Sequence, residues 1–303
     1  MSVVTRIERA LEQQFALTET ASAPPRLMAA MRHAVFPGGA RIRPQLCLAV
    51  AAACGDGAPG LSVAAAAAIE LLHCASLAHD DMPCFDDADT RRGRATVHKQ
   101  FGEPLALLAG DALIVMAFQT LARAGAEHPQ RLARLLLTVC AGTGAPDGIV
   151  AGQAWECESR VVLGQYQRAK TGALFVASTC AGAQAAGVDP RPWRKLGECL
   201  GEAYQVADDM RDVMGAASLG KPTGQDAHHG RPSTAAELGL VGAVDYFRAL
   251  MQSAVDSVPA CPSREAMRKL VLHESERLLP QSACDEIRMA QAAQAALARS
   301  ALV

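Results

Sequence analysis

The stretch from Leu61 to Met82 constrains the fold of this chain more than any other feature. It is apolar and rich in alanine, and it closes on the acidic run His79-Asp80-Asp81. A second long stretch ends in Asp208-Asp209-Met210-Arg211-Asp212. Such stretches predict buried helices, and carboxylates are seldom buried without a partner. Two acidic helix ends that meet across a core predict a site for divalent cations. Oxygen ligands favour Mg²⁺ and, with it, a substrate that carries a diphosphate.

Helical periodicity continues along the whole chain. Alanine is abundant, aromatic residues make up only 4% of the chain, and no short run alternates as a strand does. Glycine and proline divide the sequence into about ten to thirteen helices. Thr234 and Glu237 are spaced as a capping box at the start of one of them. No linker has a disordered composition, so we predict a single all-α domain over residues 1–303.

Composition argues against several function classes. The net charge of −2, with both signs well mixed, does not suggest a nucleic-acid surface. Ten scattered cysteines without a Cys-x-x-Cys pair predict reduced thiols. The first residues form an amphipathic pattern and not a signal peptide, so we expect a cytoplasmic protein. The apolar stretch from Ser62 to Ala78 is too short, and too polar at Glu70 and His73, to predict a membrane span.

Polar residues recur at helical spacing along both acidic helices. Those that share a face are His73, Ser76 and Asp80 on the first helix and Gln205, Asp208 and Asp212 on the second, with Asp209 beside them. For either helix alone, a solvated helix end explains the aspartates equally well. The two helices together predict the polar lining of one site.

Four basic segments accompany the carboxylates. Each alone is more simply explained as surface charge. Arginine offers a planar fork to phosphate oxygens and lysine a point charge, so the four together suit two diphosphates, one chelated by Mg²⁺ and one held by cations alone. The segments are Arg41 and Arg43 after Gly38-Gly39, Arg91-Arg92 after the first aspartates, Lys170-Thr171, and Lys221.

These segments, in this order, resemble the trans-isoprenyl diphosphate synthases over nearly the whole chain. Gly38-Gly39-Ala40-Arg41-Ile42-Arg43-Pro44 is similar to the family's GGKRxRP. Asp80 to Gly93 resembles its first aspartate-rich motif, with Pro83-Cys84 as a two-residue insertion. Lys170-Thr171 and the run from Gln205 to Asp212 match the KT and QxxDDxxD motifs. Residues 73–77 and 86–89 are most similar to bacterial geranylgeranyl diphosphate synthases.

The resemblance implies an isoprenoid-synthase-type helical bundle around a deep central cavity, a homodimer, and Mg²⁺, with three ions per active site. It implies head-to-tail condensation of isopentenyl diphosphate with allylic diphosphates, up to geranylgeranyl diphosphate. The implied catalytic residues are Asp80, Asp81, Asp86, Lys170, Thr171, Gln205, Asp208 and Asp209, and the implied metal ligands are Asp80, Asp86, Asp208 and Asp212.

The resemblance also implies two substrate sites. Arg91, Lys170 and Lys221 would hold the allylic diphosphate, and Arg43, His73 and Arg92 would hold isopentenyl diphosphate. Thr171 and Gln205 would lie near the reacting carbons, and Arg41 is also expected among the substrate-binding residues. Ala40 stands where the family has lysine, and Arg41 or Arg231 is expected to compensate. Glu156 is predicted to be a structural polar group, and His98 a surface histidine.

The product length is expected to depend on small residues below Asp80. In the family a bulky aromatic five positions before the first aspartate forms the floor for a shorter product, and this chain has Ala75 there, followed by Ser76. The alternative is that these residues only let helices pack closely. The second candidate is a farnesyl diphosphate synthase. A terpene cyclase would not need the segment from Gly38 to Pro44, and a non-catalytic partner subunit would lack an aspartate motif.

Overall fold

The computed structural model describes residues 1–36, 38–214 and 233–289. The described chain is mainly helical with almost no strand, which confirms the all-α class. Its helices are α1 Val3–Thr18, α2 Pro25–Val35, α3 Ile42–Ala53, α4 Pro59–Asp80, α5 Val97–Phe101, α6 Glu103–Gly125, α7 Pro129–Thr143, α8 Ile149–Ala154, α9 Leu163–Gln167, α10 Ala173–Ala186, α11 Arg194–Met214, α12 Thr234–Asp256 and α13 Arg264–Leu278. Residues 281–289 are also helical.

Five short elements complete the described part of the chain. Trp155–Cys157 and Arg191–Trp193 are 3-10 turns, and Arg168–Gly172 is a π-helical turn between α9 and α10. The strands β1 Thr90–Arg91 and β2 Arg94–Ala95 pair antiparallel and form a hairpin. The sequence predicted no strand there, because two-residue strands leave no period to detect.

Helix α4 is the central helix of the bundle. Helices α3, α6 and α10 pack against it, and its alanines are almost fully buried. Small side chains on α4 let the neighbouring helices approach closely, which explains why this apolar stretch is alanine-rich. By length and composition alone, α4 and α6 are apolar enough to cross a membrane. Because 78% of the apolar window of α4 is buried, its surface packs against the protein's own helices.

The core has two clusters that meet on shared helices. One fills the space among α1, α2, α4, α6 and α7, and the other lies among α11, α12 and α13. Helix α3 contributes Cys47 to the first cluster and Val50 to the second. Helix α10 likewise contributes Leu174 to the first and Phe175 to the second. The two clusters are therefore walls of one packed bundle.

The start of α12 differs from its sequence prediction. Ser233 is the N-cap, and no side chain makes the capping hydrogen bond that a Thr234–Glu237 box would supply. Instead the Thr234 N–H donates to the carboxylate of Asp209 on α11, at 2.7 Å. The capping-box prediction is wrong because a buried carboxylate from another helix satisfies the free N–H group of the first turn.

Candidate active site

Three carboxylates meet where α4 ends. Oxygen atoms of Asp80, Asp86 and Glu156 all lie within 4.8 Å of one another, and each side chain is partly buried. Asp80 is the last residue of α4. The Asp86 N–H donates to the Asp80 carbonyl at 3.0 Å, so the loop with the Pro83-Cys84 insertion folds back onto the helix end. This turn brings Asp86 beside Asp80 although six positions separate them.

Glu156 is the member of this group that the sequence did not reveal. It lies in the 3-10 turn after α8, and its carboxylate accepts hydrogen bonds from the Tyr166 hydroxyl (2.6 Å), Gln153 (3.1 Å) and Lys170. The sequence predicted Glu156 as a structural polar group and did not indicate that it lies beside Asp80 and Asp86. Nothing in the sequence distinguishes Glu156 from the nearby Glu158.

Lys170 and Thr171 lie on the π-helical turn. The Lys170 ammonium contacts Glu156 and lies 3.3 Å from Asp80 Oδ1. A π turn adds a residue to the helical turn and is common at functional sites. Helix α8 packs tightly against the π turn, because a Cβ on Gly152 would lie only 2.2 Å from the backbone nitrogen of Lys170. This close approach, which only glycine allows, places the lysine beside the carboxylates.

The second aspartate cluster joins the site through α11. The Thr171 hydroxyl donates to Gln205 Oε1 at 2.6 Å, which links the π turn to α11. Asp208 is 38% exposed and pairs with Arg211 at 3.1 Å. Among the described residues, the carboxylates close enough to share one cation are those at the end of α4; Asp208 and Asp212 are not in that group.

Asp209 and Asp81 are the buried members of the two aspartate pairs. Asp209 is 2% exposed and accepts hydrogen bonds from Gln205 (2.7 Å), Thr234 N–H (2.7 Å) and Gln167 (3.3 Å). Burial raises the pKa of Asp209, and these hydrogen bonds oppose the rise. Both of its oxygens are therefore engaged inside the protein.

Asp81 holds the first of the paired arginines. It is 3% exposed, and Arg91 approaches its Oδ1 at 2.6 Å while lying 3.7 Å from Asp80 Oδ2. Burial raises the pKa of Asp81, and Arg91 opposes the rise. Arg92 and Gly93 turn the β hairpin with φ values of 54° and 74°. This tight turn carries Arg92 to the chain at Gly39, where a Cβ would lie 2.5 Å from the guanidinium carbon.

A second, arginine-rich cluster surrounds His73. Arg43, in the first turn of α3, places its guanidinium 4.5 Å above the Phe175 ring and 5.5 Å from Tyr204. Its buried Nε has no hydrogen-bond partner among the described residues. Burial lowers the pKa of His73, and Arg43 and Arg92 lower it further, so the imidazole is neutral at pH 7. Positive charge with an unpaired buried donor is an environment built for an anion.

Two sequence-predicted residues lie elsewhere than expected, and two more lie outside the described residues. Arg41 is turned away from both clusters, with its guanidinium buried between Glu8 and Glu70, so it does not replace the lysine missing at Ala40. Lys221 and Arg231 lie outside the described residues. His98 is 6% exposed within α5, 3.6 Å from Asp87, so its prediction as a surface histidine is wrong.

The two residues predicted to set product length lie below Asp80 on α4. Ser76 is partly buried, and its hydroxyl donates to the His73 carbonyl at 2.8 Å. Ala75 is 1% exposed within the core cluster around α4.

Comparisons with known proteins agree on one family. A family model described as polyprenyl synthetase matches residues 24–262. The chain is 51% identical to a geranylgeranyl diphosphate synthase of Cereibacter sphaeroides, over 92% of this chain and 98% of that protein. It is 40% identical to a farnesyl diphosphate synthase of Geobacillus stearothermophilus, over 78% and 86%. A Helicobacter pylori geranyltransferase solved with magnesium and isoprenyl diphosphate superposes with a TM-score of 0.75 and 29% identity, over 90% and 97%.

Proposed function

Because this chain belongs to the polyprenyl synthetase family, we propose that it condenses isopentenyl diphosphate head-to-tail with allylic diphosphates, and that its main product is geranylgeranyl diphosphate. It is a trans-prenyltransferase. The observation that carries the proposal is the presence of two differently built anion sites. One combines carboxylates with Lys170 and Arg91, and the other is formed by Arg43, His73 and Arg92.

The carboxylates fit Mg²⁺. The donors are oxygen atoms, three of them lie within 4.8 Å of one another, and the Lys170 ammonium shows that the group accommodates a cation. Asp80 and Asp86 would hold metal on the α4 side, with Glu156 beside them, and Asp208 and Asp212 on the α11 side. We propose three ions per site. When bound, Mg²⁺ supplies Lewis-acid stabilisation of the negative charge that develops on the leaving diphosphate.

Lys170 and Arg91 hold the allylic diphosphate. Both side chains point at the end of α4, and both are only partly exposed, so their charge is less screened than at the surface. Ionisation of the allylic substrate breaks the carbon–oxygen bond and leaves both electrons on the diphosphate, which these cations stabilise. Thr171 and Gln205, hydrogen-bonded to each other beside Lys170, lie next to the carbon that becomes cationic.

Arg43, His73 and Arg92 hold isopentenyl diphosphate. The unpaired Nε of Arg43 donates to a phosphate oxygen, and the neutral His73 donates from one ring nitrogen without adding charge. The double bond of isopentenyl diphosphate then attacks the allylic cation, forms the new carbon–carbon bond and loses a proton. The released diphosphate takes that proton. The apolar, alanine-rich helix walls exclude water, which would otherwise quench the cation.

We propose that small residues on α4 set the C20 product length. Ala75 and Ser76 lie about one turn below Asp80, and one helical turn of about 5.4 Å is on the order of one isoprene unit. The second candidate is a C15 product, since a farnesyl diphosphate synthase is 40% identical to this chain. The 51% identity to a geranylgeranyl diphosphate synthase favours C20.

We also propose a homodimer in the cytoplasm. Helix α6 exposes Leu107, Leu108 and Val115, each about half accessible, and α7 exposes Leu137 at 73%. Adjacent apolar patches of this kind indicate a protein interface, and a second copy of the chain is the partner we propose. All ten cysteines are free, as a reducing compartment requires.

The test is incubation of the pure protein with labelled isopentenyl diphosphate, Mg²⁺ and each allylic starter in turn, followed by sizing of the products. We expect C20 as the main product from C5, C10 and C15 starters. Accumulation of C15 from the two shorter starters, with no extension of the C15 starter, would favour the second candidate. No incorporation with any starter would refute the proposed function.

A further inference from the structure

Arg41 forms a buried ion-pair network beneath the arginine-rich site. Its guanidinium donates to Glu70 Oε1 (2.5 Å), Glu8 Oε1 (2.8 Å) and the Val35 carbonyl (2.8 Å). The side chains of Arg41 and Glu70 are 0% and 2% exposed. Burial works against the charge, but Glu70 and Glu8 more than offset it and raise the pKa of Arg41. The group is therefore a permanent cation whose hydrogen bonds lie within the protein.

The backbone at Arg41 is held in an unfavourable conformation. Its φ and ψ are 50° and 37°, in the left-handed region, at the residue that precedes α3. For a residue with a side chain this conformation is unfavourable and persists only where surrounding contacts impose it. Glu70 and Glu8 supply those contacts. The backbone turn in front of α3 thus depends on where the Arg41 side chain is bound.

That turn places Arg43. Arg41 contacts α1 and α4, whereas Arg43, two residues later, contacts Phe175 on α10 and Tyr204 on α11. The two arginines therefore leave the start of α3 in opposite directions. With Arg41 anchored on one side, Arg43 is presented on the other.

The ion pair between Arg41 and Glu70 also contacts the segment that carries His73 and the segment that packs on Arg92, the other two members of the arginine-rich site. Glu70 lies one helical turn before His73 on α4, so the Arg41–Glu70 pair fixes the start of α3 against the turn that bears the imidazole. Gly38 packs on the Arg41 guanidinium, where a Cβ would lie 2.3 Å from its carbon, and Gly39 packs in the same way on Arg92. The Gly-Gly strap thus runs between the two guanidinium groups.

We propose that Arg41 is a positioning residue for the isopentenyl diphosphate site. It acts through Glu70 and through the Gly38-Gly39 strap, and it does not touch the substrate. The inference rests on the proposed function, because it assigns the arginine-rich cluster to isopentenyl diphosphate. Arg41 was expected to supply the positive charge that is missing at Ala40. In this proposal Arg41 instead holds the other cationic side chains of the site in place and adds no charge to it.

The test compares Arg41→Gln, Arg41→Lys and Glu70→Gln with the wild type. We expect Arg41→Gln and Glu70→Gln each to raise the KM for isopentenyl diphosphate about tenfold or more, while the KM for the allylic substrate changes by less than about twofold. The double variant Arg41→Gln/Glu70→Gln is expected to have a KM for isopentenyl diphosphate no higher than that of the more impaired single variant, because both changes remove the same ion pair. Arg41→Lys keeps the positive charge but loses the planar guanidinium, so its KM for isopentenyl diphosphate should lie between that of the wild type and that of the two glutamine variants.

A second measurement is independent of turnover. Isothermal titration with inorganic diphosphate in metal-free buffer reports the site that binds anions with cations alone. We expect Arg41→Gln and Glu70→Gln to weaken this binding about tenfold or more, in parallel with the KM for isopentenyl diphosphate. If the wild type binds diphosphate but condenses nothing, the proposed function fails while the positioning inference is still tested.

Arg32→Gln is the matched control. Arg32 also pairs with two carboxylates, Glu12 and Glu19, but it joins α1 to α2 on the surface. We expect it to leave both KM values and diphosphate binding unchanged. If both KM values and the diphosphate affinity changed by the same factor in each variant, in proportion to its loss of thermal stability, Arg41 would have only a structural role. A Glu70→Gln variant with the wild-type KM for isopentenyl diphosphate, beside a strongly impaired Arg41→Gln, would mean that Arg41 contacts the substrate directly. Either outcome overturns the proposal.

Discussion

Replacing Asp209 by alanine should destabilise the protein far more than the same change at its neighbour Asp208. Asp209 is buried and accepts three hydrogen bonds, one of them from the first turn of α12. Its removal leaves the Thr234 N–H and the Gln205 amide without this acceptor inside the protein, at about 1–3 kcal/mol for each, whereas Gln167 keeps its hydrogen bond to the Thr234 hydroxyl. Because these losses are not additive, we expect a total of about 4 kcal/mol. For a chain of 303 residues this lowers Tm by roughly 6 °C.

Asp208→Ala is the matched control on the next residue. Asp208 is 38% exposed and forms a helical ion pair with Arg211, and the loss of such an exposed pair should cost about 0.5 kcal/mol or less. If it holds metal, as proposed, turnover should fall by several orders of magnitude, on the order of that seen when a transition-state contact is removed. Asp209→Ala should retain measurable turnover well below its lowered Tm.

The assay is differential scanning calorimetry in metal-free buffer, paired with initial rates at a temperature at which both variants are folded. An unchanged Tm together with abolished turnover in Asp209→Ala would show that this carboxylate acts on metal or substrate and not as the cap of α12. The assignment of opposite roles to the two aspartates would then be refuted.

Four further outcomes are expected. A chelator should abolish turnover and Mg²⁺ should restore it, and Asp80→Ala should be inactive but folded by circular dichroism; turnover in metal-free buffer contradicts the mechanism. Ala40→Lys should lower the KM for isopentenyl diphosphate by about tenfold, because it adds a charge-assisted phosphate contact, and an effect on the allylic KM instead would reverse the two sites. Ala75→Tyr should shift the product from C20 to C15, seen by chromatography of the dephosphorylated alcohols; an unchanged C20 product places the floor elsewhere. Glu156→Gln should weaken Mn²⁺ binding in the presence of inorganic diphosphate, measured by electron paramagnetic resonance, and wild-type binding would remove Glu156 from the metal site.

The sequence was sufficient for the class of fold and for the elements that bear the motifs. Long apolar stretches without strand alternation predicted α4 and α11, and both helices form. The π turn at Arg168–Gly172 was not predicted, because a local addition to a helical turn leaves no trace in hydrophobic periodicity. The spacing of apolar residues along a chain predicts helices well, since each helix follows its own local periodicity.

The direction of individual side chains was not predictable in the same way. Asp208 and Asp209 differ by about 100° around α11, and only the packing of α12 decides which of them is buried. Arg41 was expected at the substrate because its motif is basic, but a left-handed backbone turn directs it to Glu70. Glu156 carried no signal, since its partners Asp80 and Asp86 lie about 70 positions away and become neighbours only on folding.

The ammonium of Lys170 gives the carboxylates at the end of α4 a counter-charge of their own. With that internal cation in place, we expect the protein to fold without metal, and a chelator should remove activity while the protein stays folded. Metal must also compete with the lysine for Asp80 and Glu156. A diphosphate that draws Lys170 toward itself removes this competitor, so the affinity for metal rises when diphosphate binds. By linkage the affinity for diphosphate rises by the same factor when metal binds. In the proposed mechanism the two ligands are thermodynamically coupled through one side chain, and we expect the site to be completed only when both are present.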